Sequence, residues 1–154
     1  ESEDRERGNR VPYFRCPLML EPGPVVRPGN WGRIVRRSGS VHREWQRETI
    51  LEEIRKTEFS NLPSRFECAF VLDELEEAQY YISHFAQLSL LYEVNLIDGN
   101  ASSHEADWKG TGPYDQTNEW ARRYWRGDVM PHPEPRMKLR ERLPLSRLRI
   151  EKQV

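Results

Sequence analysis

Two rhythms of apolar and polar residues run through this chain, and each predicts its own kind of element. Val11 to Leu20 (VPYFRCPLML) is apolar and aromatic enough for a short strand, which Pro12 and Pro17 push to a sheet edge or to strand ends. The stretch EPGPVVRPGNWG that follows, with three Pro and three Gly in twelve residues, predicts a chain of turns. From Val41 to about Lys56 the period becomes helical, with Val41, Trp45, Ile50, Leu51 and Ile54 on one stripe. Asn61 to Ser64 breaks it, and residues 66–72 (FECAFVL) predict a buried strand. Asp73 with Glu76 three residues on makes a carboxylate version of the capping box. The helix it opens carries Leu75, Ala78, Ile82 and Phe85 on one face.

Leu90 to Ile97 (LLYEVNLI) is the clearest strand. Residues 98–116 predict a loop that holds Trp108 and Tyr114, and a short helix from about Thr117 to Arg126 ends at Gly127. MPHPEP predicts an extended link, and Leu143 to Ile150 (LPLSRLRI) a last strand. About four strands and three helices without a strict β-α-β rhythm predict an α+β fold, and no internal repeat is visible.

A length of 154 residues favours one domain. Residues 1–10 (ESEDRERGNR) predict a disordered leader, leaving 11–154 as the domain. The charged fraction of 32% is high for a compact domain, but 10% aromatic residues, five of them Trp, exclude a fully disordered chain. No apolar run approaches the roughly 18 residues of a membrane span, and the N-terminus is the opposite of a signal peptide. The expectation is a soluble cytoplasmic protein with no membrane partner. Cys16 and Cys68 alone make neither a disulfide scaffold nor a thiolate zinc site.

The net charge of −1 hides an asymmetry. Residues 44–77 hold ten acidic and four basic side chains, and residues 122–152 hold ten basic and four acidic. Either the basic third is a footprint for an anionic partner such as nucleic acid, or the two segments lie together and cancel, or they are simply solvated faces.

Phosphate-loop, dinucleotide-fingerprint, zinc-protease and serine-hydrolase signatures are all absent. His42, His84, His104 and His132 are scattered, so no metal site is expected. Ser102, Ser103 and His104 are sequence neighbours without a carboxylate to orient them, and Cys68 reads as a small core residue. Chemistry-bearing candidates remain elsewhere. Arg15 interrupts an aromatic strand, and Ser64 and Arg65 precede the segment at 66–72. Glu105, Asp107 and Trp108 follow the best strand, and Glu119, Trp120, Tyr124 and Trp125 share a short helix.

The order of these segments resembles the small bacterial ADP-ribosyltransferase-like proteins, and in plan the rifampin ADP-ribosyltransferases. The motifs are the Tyr13-Phe14-Arg15 opening strand, the Pro-Gly turn, Asp73 with Leu75, Glu76, Glu77 and Ala78, the Leu91-Tyr92-Glu93-Val94 strand, and an acidic loop. Pro63-Ser64-Arg65 and Arg122-Arg123-Tyr124-Trp125-Arg126-Gly127 are similar to signposts of an uncharacterised bacterial family of that group.

The resemblance implies an ADP-ribosyltransferase-like fold of small mixed or antiparallel sheets, with NAD as substrate. It implies an enzyme that transfers ADP-ribose to a protein or nucleic acid, as in toxin or anti-phage systems. The nicotinamide–ribose bond breaks through an oxocarbenium-like centre, as in glycoside hydrolysis. Asp107 is the first candidate for the carboxylate that stabilises it, with Glu105 and Glu119 next. Arg15, where the family pattern often has His, would hold the ribose or the nicotinamide amide. Phe70, which lacks the hydroxyl of a Tyr, would stack on nicotinamide, as would Tyr80 or Tyr81. Arg65 beside Ser64 would meet the pyrophosphate. Trp120, Tyr124 and Trp125 would complete the cofactor cleft.

Two other functions fit the same residues. A non-catalytic interaction module would dock a partner protein, such as an antitoxin, through the Trp-rich helix at 117–126. A nucleic-acid binder would use the basic C-terminal third.

Overall fold

The computed structural model describes residues 10–108, 116–131 and 139–154. The alternating segment Leu90–Leu96 forms β3, the centre of a four-stranded antiparallel sheet. It pairs on one side with β1 (Tyr13–Cys16) and on the other with β6 (Leu148–Gln153), which also carries the two-residue β2 (Val25–Val26). Tyr92, Val94, Leu148 and Ile150 face one core together with Ala69 and Val71.

A second antiparallel sheet pairs β4 (Ser103–Asp107) with β5 (Arg140–Pro144). Neither strand coincides with a predicted one: β4 lies inside the predicted 98–116 loop, and the predicted strand at 143–150 is the end of β5, a turn and the start of β6. Charged side chains at the outward positions hide the alternation of β4 and β5.

A short extended segment joins the sheets. Val71 and Arg142 exchange both backbone hydrogen bonds, at 2.9 and 2.8 Å, while Leu72 and Tyr13 exchange both at 2.9 and 2.7 Å. The predicted strand at 66–72 is therefore extended only at its end. Its first part is a turn in which the Ser64 carbonyl accepts from the amides of Glu67 and Cys68, and the Ser64 hydroxyl from the amide of Phe66. Such local bonds divert the backbone from a sheet ladder.

Four helices are described: α1 (Asn30–Ser38), α2 (Trp45–Glu58), α3 (Leu75–Phe85) and α4 (Glu119–Arg126). The turn chain predicted at 21–32 thus contains β2 and the start of α1, which a mostly polar sequence conceals. Gly32 lets α1 press onto the 64–68 turn: a Cβ there would stand 1.9 Å from the Phe66 carbonyl oxygen. Val41, predicted to open the second helix, instead lies exposed in a 3-10 turn before α2. Asp73 does not cap α3; its Oδ1 accepts from Arg142 Nη2 at 2.6 Å.

Helix α4 ends as predicted at Gly127, whose φ of 79° only glycine adopts freely. Trp120, Tyr124 and Trp125 on α4 enclose the second core with Leu51, Ile54, Ala106 and Leu143. Trp125 Nε1 donates to the Leu51 carbonyl at 2.9 Å, tying α4 to α2.

These six strands and four helices among the described residues make an α+β fold with antiparallel sheets. No helix among the described residues is long and apolar enough to cross a membrane. The predicted leader, apart from Arg10, lies outside the described residues, as do Tyr114 and positions 132–135 of the predicted link.

Acidic and basic segments do meet. Arg122 pairs with Glu58, Arg140 with Glu77 and Arg142 with Asp73. Arg126 and Arg147 pair closer to home, with Glu119 and Asp98. Much of the basic C-terminal third is thus compensated within the fold.

Candidate active site

A cleft of about 840 Å³ opens where the two sheets join. Strand parity decides what lines it. On β1, Phe14 and Cys16 turn to the core and Arg15 to the cleft; on the joining segment, Ala69 and Val71 turn inward and Phe70 outward. On the second sheet, His104 and Ala106 share a face with Glu141 and Leu143, and the same parity carries Trp108 to the cleft beside Glu141.

The floor is a buried ionic cluster. Arg65, 5% exposed, sends Nε and Nη2 to the two carboxylate oxygens of Glu48, both at 2.9 Å. Its Nη1 donates to the Tyr124 hydroxyl and to Glu141 Oε1. Tyr124 in turn donates to the same Glu141 oxygen at 2.7 Å. Glu48 also accepts from Trp31 Nε1 at 3.0 Å and Arg47 Nη2 at 3.1 Å.

Burial alone would raise the Glu48 pKa, but Arg65, Arg47 and the Trp31 hydrogen bond hold it down at about 2. Burial opposes charge on Arg65 as well, and the surrounding Glu48, Tyr124 and Glu141 outweigh it, keeping the guanidinium charged. The Tyr124 phenol is pushed well above its usual value by burial and by Glu141, so it remains a donor.

The wall is aromatic. The Arg15 guanidinium lies 4.7 Å above the Tyr81 ring, and among the described residues no carboxylate pairs with it. Tyr81 meets Trp108 edge to face at 5.0 Å, and Phe85 meets Trp108 at 4.7 Å. Phe70 lies 4.8 Å from the Arg65 guanidinium. At the far lip, His42 touches Trp31 at 5.2 Å and accepts the Glu44 amide on Nδ1 at 3.0 Å.

Of the predicted site residues, Arg15, Arg65, Phe70 and Tyr81 share this cleft, with Tyr124 reaching into its floor. Arg65 serves the floor rather than an open phosphate site, because Glu48, Tyr124 and Glu141 occupy its donors. Ser64 is buried, donating to Glu52 Oε2 at 2.7 Å. Tyr80 stacks on His84 at 4.0 Å outside the cleft lining, and Trp120 and Trp125 are core.

The three predicted carboxylates lie outside the lining. Asp107 and Glu105 project from the face of β4 opposite Ala106; Asp107 accepts the Met130 amide at 2.7 Å, and Glu105 pairs with Arg140 at 2.9 Å. Glu119 is half-buried on α4 beside Arg126, outside the cleft. Among the described residues the cleft carboxylates are Glu141 and Glu44, the latter at the lip and paired with Arg43 and Arg47; the sequence reading passed over both, as it did Trp31 and His42. A signal for Glu141 existed: it sits between Leu139 and Leu143, 2% and 0% exposed, on the inward rhythm of a strand.

Cys68 is buried with its thiol pushed up to about 12 by burial first, which makes it an inert core residue. Among the described residues no group of three or more His, Cys, Asp and Glu side chains is placed to hold a metal ion.

Fold and site together define an α+β protein with an aromatic, arginine-rich cleft at the junction of two antiparallel sheets. The profile of DUF2441, a family described as a protein of unknown function, matches residues 29–136, and the chain belongs to that family. No curated protein matches the chain. The family match spans Arg65, Phe70, Tyr81 and Trp108; Arg15 and Glu141 enter the cleft from either side of it.

Proposed function

We propose that this protein binds NAD in the cleft, cleaves the nicotinamide–ribose bond and transfers ADP-ribose to a macromolecular acceptor. One observation carries the reading: a guanidinium with no carboxylate partner among the described residues, an aromatic wall and an inward carboxylate converge in a single cleft as Arg15, Tyr81 with Phe70, and Glu141. NAD offers the complementary groups. Its pyrophosphate suits a guanidinium fork, its cationic nicotinamide suits the faces of aromatic rings, and its ribose develops positive charge that a carboxylate stabilises. A cleft of about 840 Å³ is within the range of small-molecule sites. At the coarser level of class, an α+β fold with antiparallel sheets supports the reading.

In this reading the C1′–N bond breaks with its electron pair passing to the nicotinamide ring, which leaves neutral. Glu141 faces the ribosyl cation, and the acceptor nucleophile bonds to C1′ as it loses its proton. Glu141 replaces Asp107, Glu105 and Glu119 as the carboxylate. Arg15 replaces Arg65 at the pyrophosphate, since among the described residues no carboxylate pairs with it, whereas Glu48 and Glu141 hold Arg65. Burial of Trp120, Tyr124 and Trp125 removes the exposed aromatic patch on which an interaction module at 117–126 depends.

The thermal midpoint with and without excess NAD, with AMP as control, tests the reading. NAD at about 100 times its dissociation constant stabilises by about 2.7 kcal/mol, several degrees for a domain of this size. A rise with NAD that Arg15→Ala abolishes is expected. No rise at millimolar NAD would refute the proposal.

A further inference from the structure

We infer that Tyr124 and Arg65 are positioning residues that fix Glu141 through one oxygen and leave the other for the ligand, an inference that rests on the NAD-cleaving reading. Both donors converge on Glu141 Oε1. Among the described residues Oε2 takes no hydrogen bond, and the side chain, 15% exposed, lines the cleft. A carboxylate pinned at one oxygen has a set rotation about its last bond, so the lone pairs of the other point one way.

The donors are themselves immobile. Tyr124 is 1% exposed on α4, three residues before the Gly127 cap and next to Trp125, whose indole is tied to the Leu51 carbonyl. Arg65 is held by the fork to Glu48. Room for the carboxylate comes from Ala106, the small residue opposite Glu141 in the β4–β5 register.

Arg43 and Arg47 pair with Glu44, and the Glu48 fork takes Arg65 from the other side, so Glu141 shares Arg65 with Glu48 rather than holding a guanidinium to itself. Preorganised groups of this kind lower a barrier because nothing must reorient during reaction.

Tyr124→Phe keeps the ring that fills the core and removes only the hydroxyl. The expected result is a KM for NAD within about twofold of wild type and a kcat for nicotinamide release lowered by up to about a hundredfold. Wild-type kcat, or a loss that falls on KM instead, would overturn the inference.

A second readout is independent of turnover: side-chain ¹³C relaxation should report a more mobile Glu141 carboxylate in Tyr124→Phe, since one of its two anchors is gone. Unchanged mobility overturns the positioning role whatever the turnover. Increased mobility in a protein that releases no nicotinamide defeats the NAD reading, and with it the catalytic half of the inference. If Tyr124→Phe fails to fold, Glu141→Asp, which draws the carboxylate back from both donors, takes its place. NAD binding kept with turnover lost is then expected, and wild-type turnover would overturn the inference.

Discussion

Glu48 and Arg65, on α2 and on the turn before the sheet junction, close a two-bond fork with both arms at 2.9 Å. Both residues are nearly inaccessible, at 1% and 5% exposure. Removing one member of a buried pair strands the other charge, at a cost of about 3–5 kcal/mol. Glu48→Gln is expected to lower stability by that order in urea unfolding. A change below about 0.5 kcal/mol would show that Glu141 and Tyr124 suffice to hold Arg65.

The same carboxylate sets an acid limit. Its folded pKa of about 2 lies below the ordinary 4.5, so the unfolded chain binds more protons between those values. The stabilisation is fully present above pH 4.5 and is lost as pH falls toward 2, a total of about 3 kcal/mol. Urea midpoints across that window should fall steeply in wild type and less steeply in Glu48→Gln.

His104 adds an earlier acid dependence. Burial first lowers its pKa below 6.5, against the Tyr124 carbonyl that its Nε2 meets at 3.1 Å. An unfolded chain protonates this histidine where the folded one resists, so stability declines as pH drops below about 6.5. His104→Gln should flatten the stability curve between pH 7 and pH 5. An identical slope would remove His104 from the account.

Gly32 tests how the Arg65 turn is held. Its missing side chain lets α1 sit against the Phe66 backbone, and Arg36 of α1 covers the Phe66 ring at 4.6 Å. Gly32→Ala must shift backbone against backbone, and a destabilisation of about 1–3 kcal/mol is expected. Gly99→Ala meets nothing within 4 Å and serves as the neutral control. Equal thermal midpoints for the two variants would contradict the packing described.

Local rhythm made some of this fold readable in advance, and tertiary pairing made the rest unreadable. β3, α3 and the end of α4 at Gly127 follow from alternation, helical period and a C-terminal glycine. β4 (SHEAD) and β5 (RERLP) carry charges at positions that only their mutual pairing and Asp73 explain. The turn at 64–68 looked like a strand because its apolar run is buried by α1 and α2 rather than by a ladder.

Arg15, Phe70 and Tyr81 were named together through the family resemblance, and the fold brings them into one cleft. Glu141 was not named, because a carboxylate was sought in the loop after the best strand. The β4–β5 register turns Glu105 and Asp107 of that segment to the opposite face and sets Glu141 against Ala106.

Release of labelled nicotinamide from NAD, measured side by side for wild type, Glu141→Gln and Glu119→Gln, tests the central claim most directly. The account predicts release by wild type and by Glu119→Gln, whose side chain lies on α4 outside the cleft. It predicts a loss of at least about a hundredfold in Glu141→Gln with NAD binding kept. No release by wild type, or equal release by Glu141→Gln, would contradict it.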